Sequence, residues 1–144
     1  MAETLRTILL VEDDPDHELL TIRALRKANI ANEIKVARDG EEATAILFSG
    51  SESEALPQVV LLDLKLPKVD GLEVLRRIRE SDRTRMLPVV ILTSSDEESD
   101  IVRSYKLGVN SYIRKPVNFT EFAEATRQLG MYWLVLNECP PINN

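Results

Sequence analysis

Val59-Val60-Leu61-Leu62-Asp63-Leu64-Lys65-Leu66-Pro67 is the segment on which the reading of this chain turns. Its first four residues are aliphatic without a break, and they lack the apolar–polar alternation of a strand with one wet face. Such a run fits a strand covered on both sides, and its abrupt end leaves Asp63 at the strand's carboxyl end. The pattern recurs along the chain. Ile8-Leu9-Leu10-Val11 stops at Glu12-Asp13-Asp14, Val89-Val90-Ile91-Leu92 stops at Thr93, and Ser111-Tyr112-Ile113 runs on to Lys115-Pro116. Ile34 to Arg38 is a fifth candidate strand.

The segments between these runs have helical spacing. Pro15 fits a first helical position with Asp14 as N-cap, and Leu19, Leu20, Ile22, Ala24 and Leu25 supply an apolar face. Asp39-Gly40-Glu41-Glu42 is a capped start for a second helix, carried on by Ala43, Ile46 and Leu47. Ser49 to Pro57 is rich in Ser and Glu and reads as a solvated loop. A third helix runs from about Leu72 to Glu80 after the Asp70-Gly71 turn. Ile101, Val102, Tyr105 and Leu107 mark a fourth, closed by Gly108, and Asn118 with Glu121 opens a fifth. Five β/α units in succession predict an α/β fold, a doubly wound five-stranded parallel sheet. A single domain spanning 1–144 is expected, with an extended C-terminal helix and tail from about 119.

The 144 residues suit one core, and 44 % hydrophobic with 29 % charged residues is ordinary for a globular chain. A net charge of −6 argues against a nucleic-acid partner. No signal peptide is read at the N-terminus, and no apolar run could span a bilayer. With Cys139 as the only cysteine, an intrachain disulfide is excluded and a cytoplasmic location is the default. Cys139 reads as inert, and His17 as a solvated surface residue of the first helix.

In an open parallel sheet, residues that follow the strands gather at the carboxyl edge, where ligands bind. Glu12, Asp13, Asp63, Thr93 and Lys115 should therefore share one crevice. Carboxylates crowded together repel unless one takes a proton or a cation sits among them. The donors are hard oxygens with no nearby His or Cys ligand set, so the expected ion is Mg²⁺. Lys115 can pair with Asp63 or with a phosphoryl oxygen, and Thr93 can donate its hydroxyl to the same group. A carboxylate nucleophile with these partners makes an aspartyl-phosphate site.

Glu12-Asp13-Asp14, Leu61 to Pro67, Gly71, Leu92-Thr93-Ser94 and Tyr112 to Pro116 together resemble the signature of two-component response-regulator receiver domains, over roughly residues 5–130. The resemblance implies a flavodoxin-like fold and roles for single residues. Asp63 would be the phosphoacceptor. Asp13 would bind Mg²⁺ directly, Glu12 through water, and the backbone carbonyl of Lys65 would complete the metal site. Thr93 and Lys115 would hold phosphoryl oxygens, and Lys115–Pro116 is a candidate cis peptide. Lys65 and Ser95 fall at positions that tune phosphoryl lifetime. Thr93 and Tyr112 would form the switch.

The ending Met131 to Pro141 and the long loop after the second helix are similar to single-domain regulators paired with bacterial phytochrome histidine kinases. A sensor histidine kinase is thus the implied partner, and a phosphoacceptor rather than an enzyme is the implied role. Phe119, Phe122, Thr126, Leu129, Trp133 and Leu136 form one stripe, which leaves Met131, Tyr132, Leu134 and Val135 as a surplus apolar face. A homodimer is expected there, with Tyr132, Leu134 and Val135 at the interface. No output domain is seen, so output would pass through protein contacts or a multistep phosphorelay. An aspartate-nucleophile phosphatase of the haloacid-dehalogenase type would want an acid where Lys65 stands. A flavodoxin-like electron carrier would want hydroxyls where Glu12-Asp13-Asp14 stand. A purely structural module fits poorly with a complete set of site residues.

Overall fold

The computed structural model describes residues 7–48, 56–94, 97–115, 119–130 and 132. The chain alternates strictly: β1 (Ile8–Val11), α1 (Pro15–Lys27), β2 (Ile34–Ala37), α2 (Gly40–Phe48), β3 (Val59–Leu62), α3 (Gly71–Glu80), β4 (Val89–Thr93), α4 (Glu98–Lys106), β5 (Ser111–Arg114) and α5 (Phe119–Gly130). The five strands form one parallel sheet in the order β2-β1-β3-β4-β5. The expected second strand is one residue shorter than the sequence suggested: Arg38 leaves the ladder and pairs with Glu18 on α1 at 3.2 Å.

Each strand sends alternate residues to opposite faces, because the side-chain period of a strand is two. Leu9, Val11, Val60, Leu62, Val89 and Ile91 meet Ala43 and Leu47 of α2 and Val74, Leu75 and Ile78 of α3. Ile8, Leu10, Val59, Leu61 and Val90 meet Leu25 of α1 on the other face. β1, β3 and β4 are buried along their whole length, which is why they read as unbroken aliphatic runs. Each fully buried Leu or Ile contributes about 2 kcal/mol to the core. α1 packs beside α5, and α3 lies between α2 and α4.

The helix starts are fixed by the expected caps. Asp14 Oδ1 accepts from the backbone N–H of Asp16 at 2.9 Å, Asp39 Oδ1 from Glu42 at 2.8 Å, and Asp70 Oδ1 from Glu73 at 3.0 Å. Gly108 closes α4 with a φ of +90°, a backbone geometry that favours glycine. At the opposite edge of the sheet from the strand ends, the Arg79 guanidinium gathers three segments. It donates to the carbonyls of Gly108 (2.8 Å), Leu87 (2.7 Å) and Arg85 (3.1 Å), and to Asn110 Oδ1 (2.8 Å). Asn110 Oδ1 also accepts from the Val89 N–H at 2.8 Å, so one cluster ties the end of α3 to the starts of β4 and β5.

Candidate functional site

Strand register delivers the site. Val11 pairs with Leu62, so Glu12 and Asp63 leave adjacent strands side by side. The Asp63 N–H donates to the Val11 carbonyl at 3.0 Å, and the Lys115 N–H to the Thr93 carbonyl at 2.7 Å, so the ladders continue one step into the site. Both faces of the sheet are covered by helices, so the polar side chains at the strand ends collect in one crevice at the carboxyl edge.

Asp63 lies at its centre and is 7 % exposed. Its Oδ1 accepts the Thr93 hydroxyl at 2.7 Å and the Lys65 backbone N–H at 3.1 Å. Its Oδ2 accepts from the Lys115 ammonium at 2.9 Å. The same ammonium donates to Glu12 Oε1. Glu12, Thr93 and Lys115 are all buried, whereas Asp13 is exposed at the mouth. One carboxylate oxygen from each of Glu12, Asp13 and Asp63 lies within 4.8 Å of the others. Five of the six residues expected from the sequence are thus brought together through their side chains, and Lys65 joins through its backbone.

The electrostatics divide the two buried acids. Burial works to raise the Asp63 carboxyl, but the Lys115 charge and hydrogen bond, the Thr93 hydroxyl and the Lys65 N–H outweigh it. Asp63 is therefore held below the usual aspartate range and kept as an anion. Glu12 has fewer donors. Burial pushes its carboxyl up to about 7, the Asp63 charge adds to the rise, and Lys115 opposes it. Asp63 is thus kept ionised, while the ionised form of Glu12 is disfavoured in the absence of a cation. That is the behaviour of an acid pair built to share positive charge. Three oxygen donors at this spacing fit a hard divalent ion.

His17 was missed. The sequence suggested a solvated surface residue, but the ring is half-buried and its Nδ1 lies 3.0 Å from the Lys115 ammonium. The first turn of α1 opens at the same edge as the acids, and that placement was the available signal. Tyr112 is half-buried and packs against the cluster that contains Ile91, its partner across the β4–β5 ladder. Thr93 lies two residues beyond Ile91 and so shares that face of the sheet. Several expectations lie outside the described residues: Ser95, the Lys115–Pro116 bond, Asn118, Met131, Trp133, Leu134, Val135, Leu136 and Cys139. The side chains of Phe119, Phe122, Thr126 and Leu129 are likewise outside the description. Tyr132 is described, and it is exposed. No described helix is long and apolar enough to cross a membrane.

Comparison with known proteins agrees with this geometry. The family model for the response regulator receiver domain matches residues 8–127. The chain is 42 % identical to the probable methanogenesis regulatory protein FilR2 of Methanothrix harundinacea, over 92 % of this chain and 86 % of that one. It is 38 % identical to the response regulator Rcp1 of Synechocystis, over 90 % and 89 %. The Mn²⁺-bound crystal structure of Rcp1 superposes with a TM-score of 0.88 at 36 % identity, covering 94 % of this chain and 99 % of that one. A phosphorylated cyanobacterial phytochrome response regulator, RcpA, superposes with a TM-score of 0.89 at 37 % identity, over 95 % and 99 %.

Proposed function

The chain belongs to the response regulator receiver domain family, and from that membership we propose that it takes a phosphoryl group onto Asp63 from a sensor histidine kinase and signals by a change of conformation and assembly. The observation that carries this reading is the convergence on Asp63. A buried carboxylate kept anionic meets a hydroxyl on one oxygen and an ammonium on the other, beside two further acids. Glu12, Asp13, Asp63 and the Lys65 carbonyl are the residues that would hold Mg²⁺, and the ion would offset the charge of the phosphoryl group. The Mn²⁺-bound Rcp1 supports a divalent site of this type in a relative.

The chain's own residues then do the following. Thr93 and Lys115 already point at the two Asp63 oxygens, so they are positioned to transfer their hydrogen bonds to phosphoryl oxygens as charge develops there. Turnover of a separate substrate is not part of this role; the protein is a phosphoacceptor that assists its own phosphorylation. Withdrawal of Thr93 toward the phosphoryl group would vacate space on the face it shares with Tyr112, and Tyr112 would move inward. Val102 and Tyr105 on α4 and Tyr132 beyond α5 are exposed apolar surface. They support a homodimer through α4, β5 and α5; Leu134 and Val135, expected at the same interface, lie outside the described residues. The likeness to RcpA, a cyanobacterial phytochrome response regulator, supports a bacterial phytochrome as the kinase, and a cytoplasmic setting is part of the same proposal.

The test is chemical. Acetyl phosphate with Mg²⁺ should give an acid-stable, base-labile adduct on the wild type, and Asp63→Asn should give none. An adduct on another residue, or none on the wild type, would overturn the assignment.

A further inference from the structure

Lys115 has three N–H donors and no acceptor. Its ammonium meets Glu12 Oε1, Asp63 Oδ2 at 2.9 Å and His17 Nδ1 at 3.0 Å, three acceptors for three donors. The first two come from the strand ends behind it. The third comes from the first turn of α1, which Asp14 pins by accepting from the N–H groups of Asp16 and His17. An ammonium can only donate, so the imidazole Nδ1 that faces it is placed to accept. Nδ1 also lies 3.9 Å from Glu12 Oε1 and 3.7 Å from Asp14 Oδ2, both beyond hydrogen-bond reach. The Lys115 side chain is 3 % exposed and that of His17 is 37 % exposed. His17 therefore stands at the mouth of the pocket and holds the lysine from the solvent side.

We infer that His17 is a positioning residue for phosphoryl transfer, acting through Lys115. This rests on the phosphoacceptor reading of Asp63 and adds a residue to it. In the transfer, an Asp63 carboxylate oxygen attacks the phosphorus of acetyl phosphate and a new O–P bond forms. The bond from phosphorus to the acetate oxygen breaks, and the electron pair leaves with acetate; no proton needs to move. Lys115 must exchange its bond to Asp63 for one to an incoming phosphoryl oxygen. An ammonium held only by two carboxylates is drawn inward between them. The His17 acceptor keeps it turned toward the mouth, where the phosphoryl group arrives.

Two substitutions separate this role from packing. His17→Asn keeps an acceptor near the Nδ1 position and loses most of the ring. His17→Phe keeps a ring and loses the acceptor. The rate of adduct formation from acetyl phosphate should fall about tenfold in His17→Phe and stay within about threefold of wild type in His17→Asn, the scale set by loss of one charge-assisted hydrogen bond. A spectroscopic readout needs neither metal nor phosphodonor. The ¹⁵N resonance of His17 Nδ1 should shift in Lys115→Met, because the ammonium it meets at 3.0 Å is gone. A His17→Phe rate equal to wild type, an Asn variant as slow as Phe, or an Nδ1 resonance indifferent to Lys115→Met would each overturn the positioning role. A wild type that takes no phosphoryl group at all would instead overturn the reading of Asp63, a distinguishable result.

Discussion

Glu12 is a carboxyl whose surroundings resist its ionisation. It is 2 % exposed, and burial moves its carboxyl from an ordinary 4.5 up to about 7. A carboxyl raised by folding keeps its proton at pH values where the unfolded chain has already lost it. In the metal-free protein, its contribution to stability is therefore complete below about 4.5 and is lost as the pH rises through about 7. Asp63, Asp14, Asp39 and Glu73 are held low, so their contributions are present above the usual carboxylate range and are lost only as the pH falls below it. The two windows do not overlap. Chelator-treated protein should lose on the order of 3 kcal/mol across the upper window. Thermal melts of Glu12→Gln should show that slope flattened. Added Mg²⁺ should restore stability on the alkaline side, since the ion takes the ionised carboxylate. A wild-type profile that is flat across the window would contradict this account of Glu12.

At the scale of elements, α3 positions the loop that follows Asp63, the proposed phosphoacceptor. Its first residue, Gly71, donates its N–H to the Leu64 carbonyl at 2.9 Å. A Cβ there would strike the Asp63 carbonyl oxygen and come within 2.6 Å of Leu64 Cα. Gly71→Ala must push either the helix or the loop aside. It should cost about 2 kcal/mol of stability in urea melts and slow adduct formation at Asp63 at least as much as it destabilises the fold. Adduct formation at the wild-type rate would mean that this contact does not position the site. Much of the architecture was legible because β1, β3 and β4 are buried on both faces and the Asp14, Asp39 and Asp70 caps act locally. Glu12, Asp13, Asp63 and Thr93 were legible at the ends of such strands, and Lys115 after the shorter, half-buried β5. His17 was not, since its partner is 98 residues away and a helix-borne histidine gives no strand-end signal. The Arg79 cluster was hidden for the same reason: its acceptors are backbone carbonyls and one asparagine, none of which marks itself in a sequence.

For the whole molecule, the proposed signal is a link between a buried pocket and an exposed face. Thr93 touches Asp63 at one end of that link, and Tyr112 lies on the same sheet face at the other. Sedimentation velocity with acetyl phosphate and Mg²⁺ should move the wild type from monomer toward dimer. Tyr112→Ala should take the phosphoryl group and leave the sedimentation coefficient where it was. Monomers at high concentration in both states would remove the dimer, and a wild-type response from Tyr112→Ala would remove the tyrosine's role. The way α4 is fastened shapes what such a signal can look like. Its final turn is moored through Gly108 to Arg79. On the proposed signal, any displacement of α4 would turn about that anchored end and carry the exposed Val102 and Tyr105 with it.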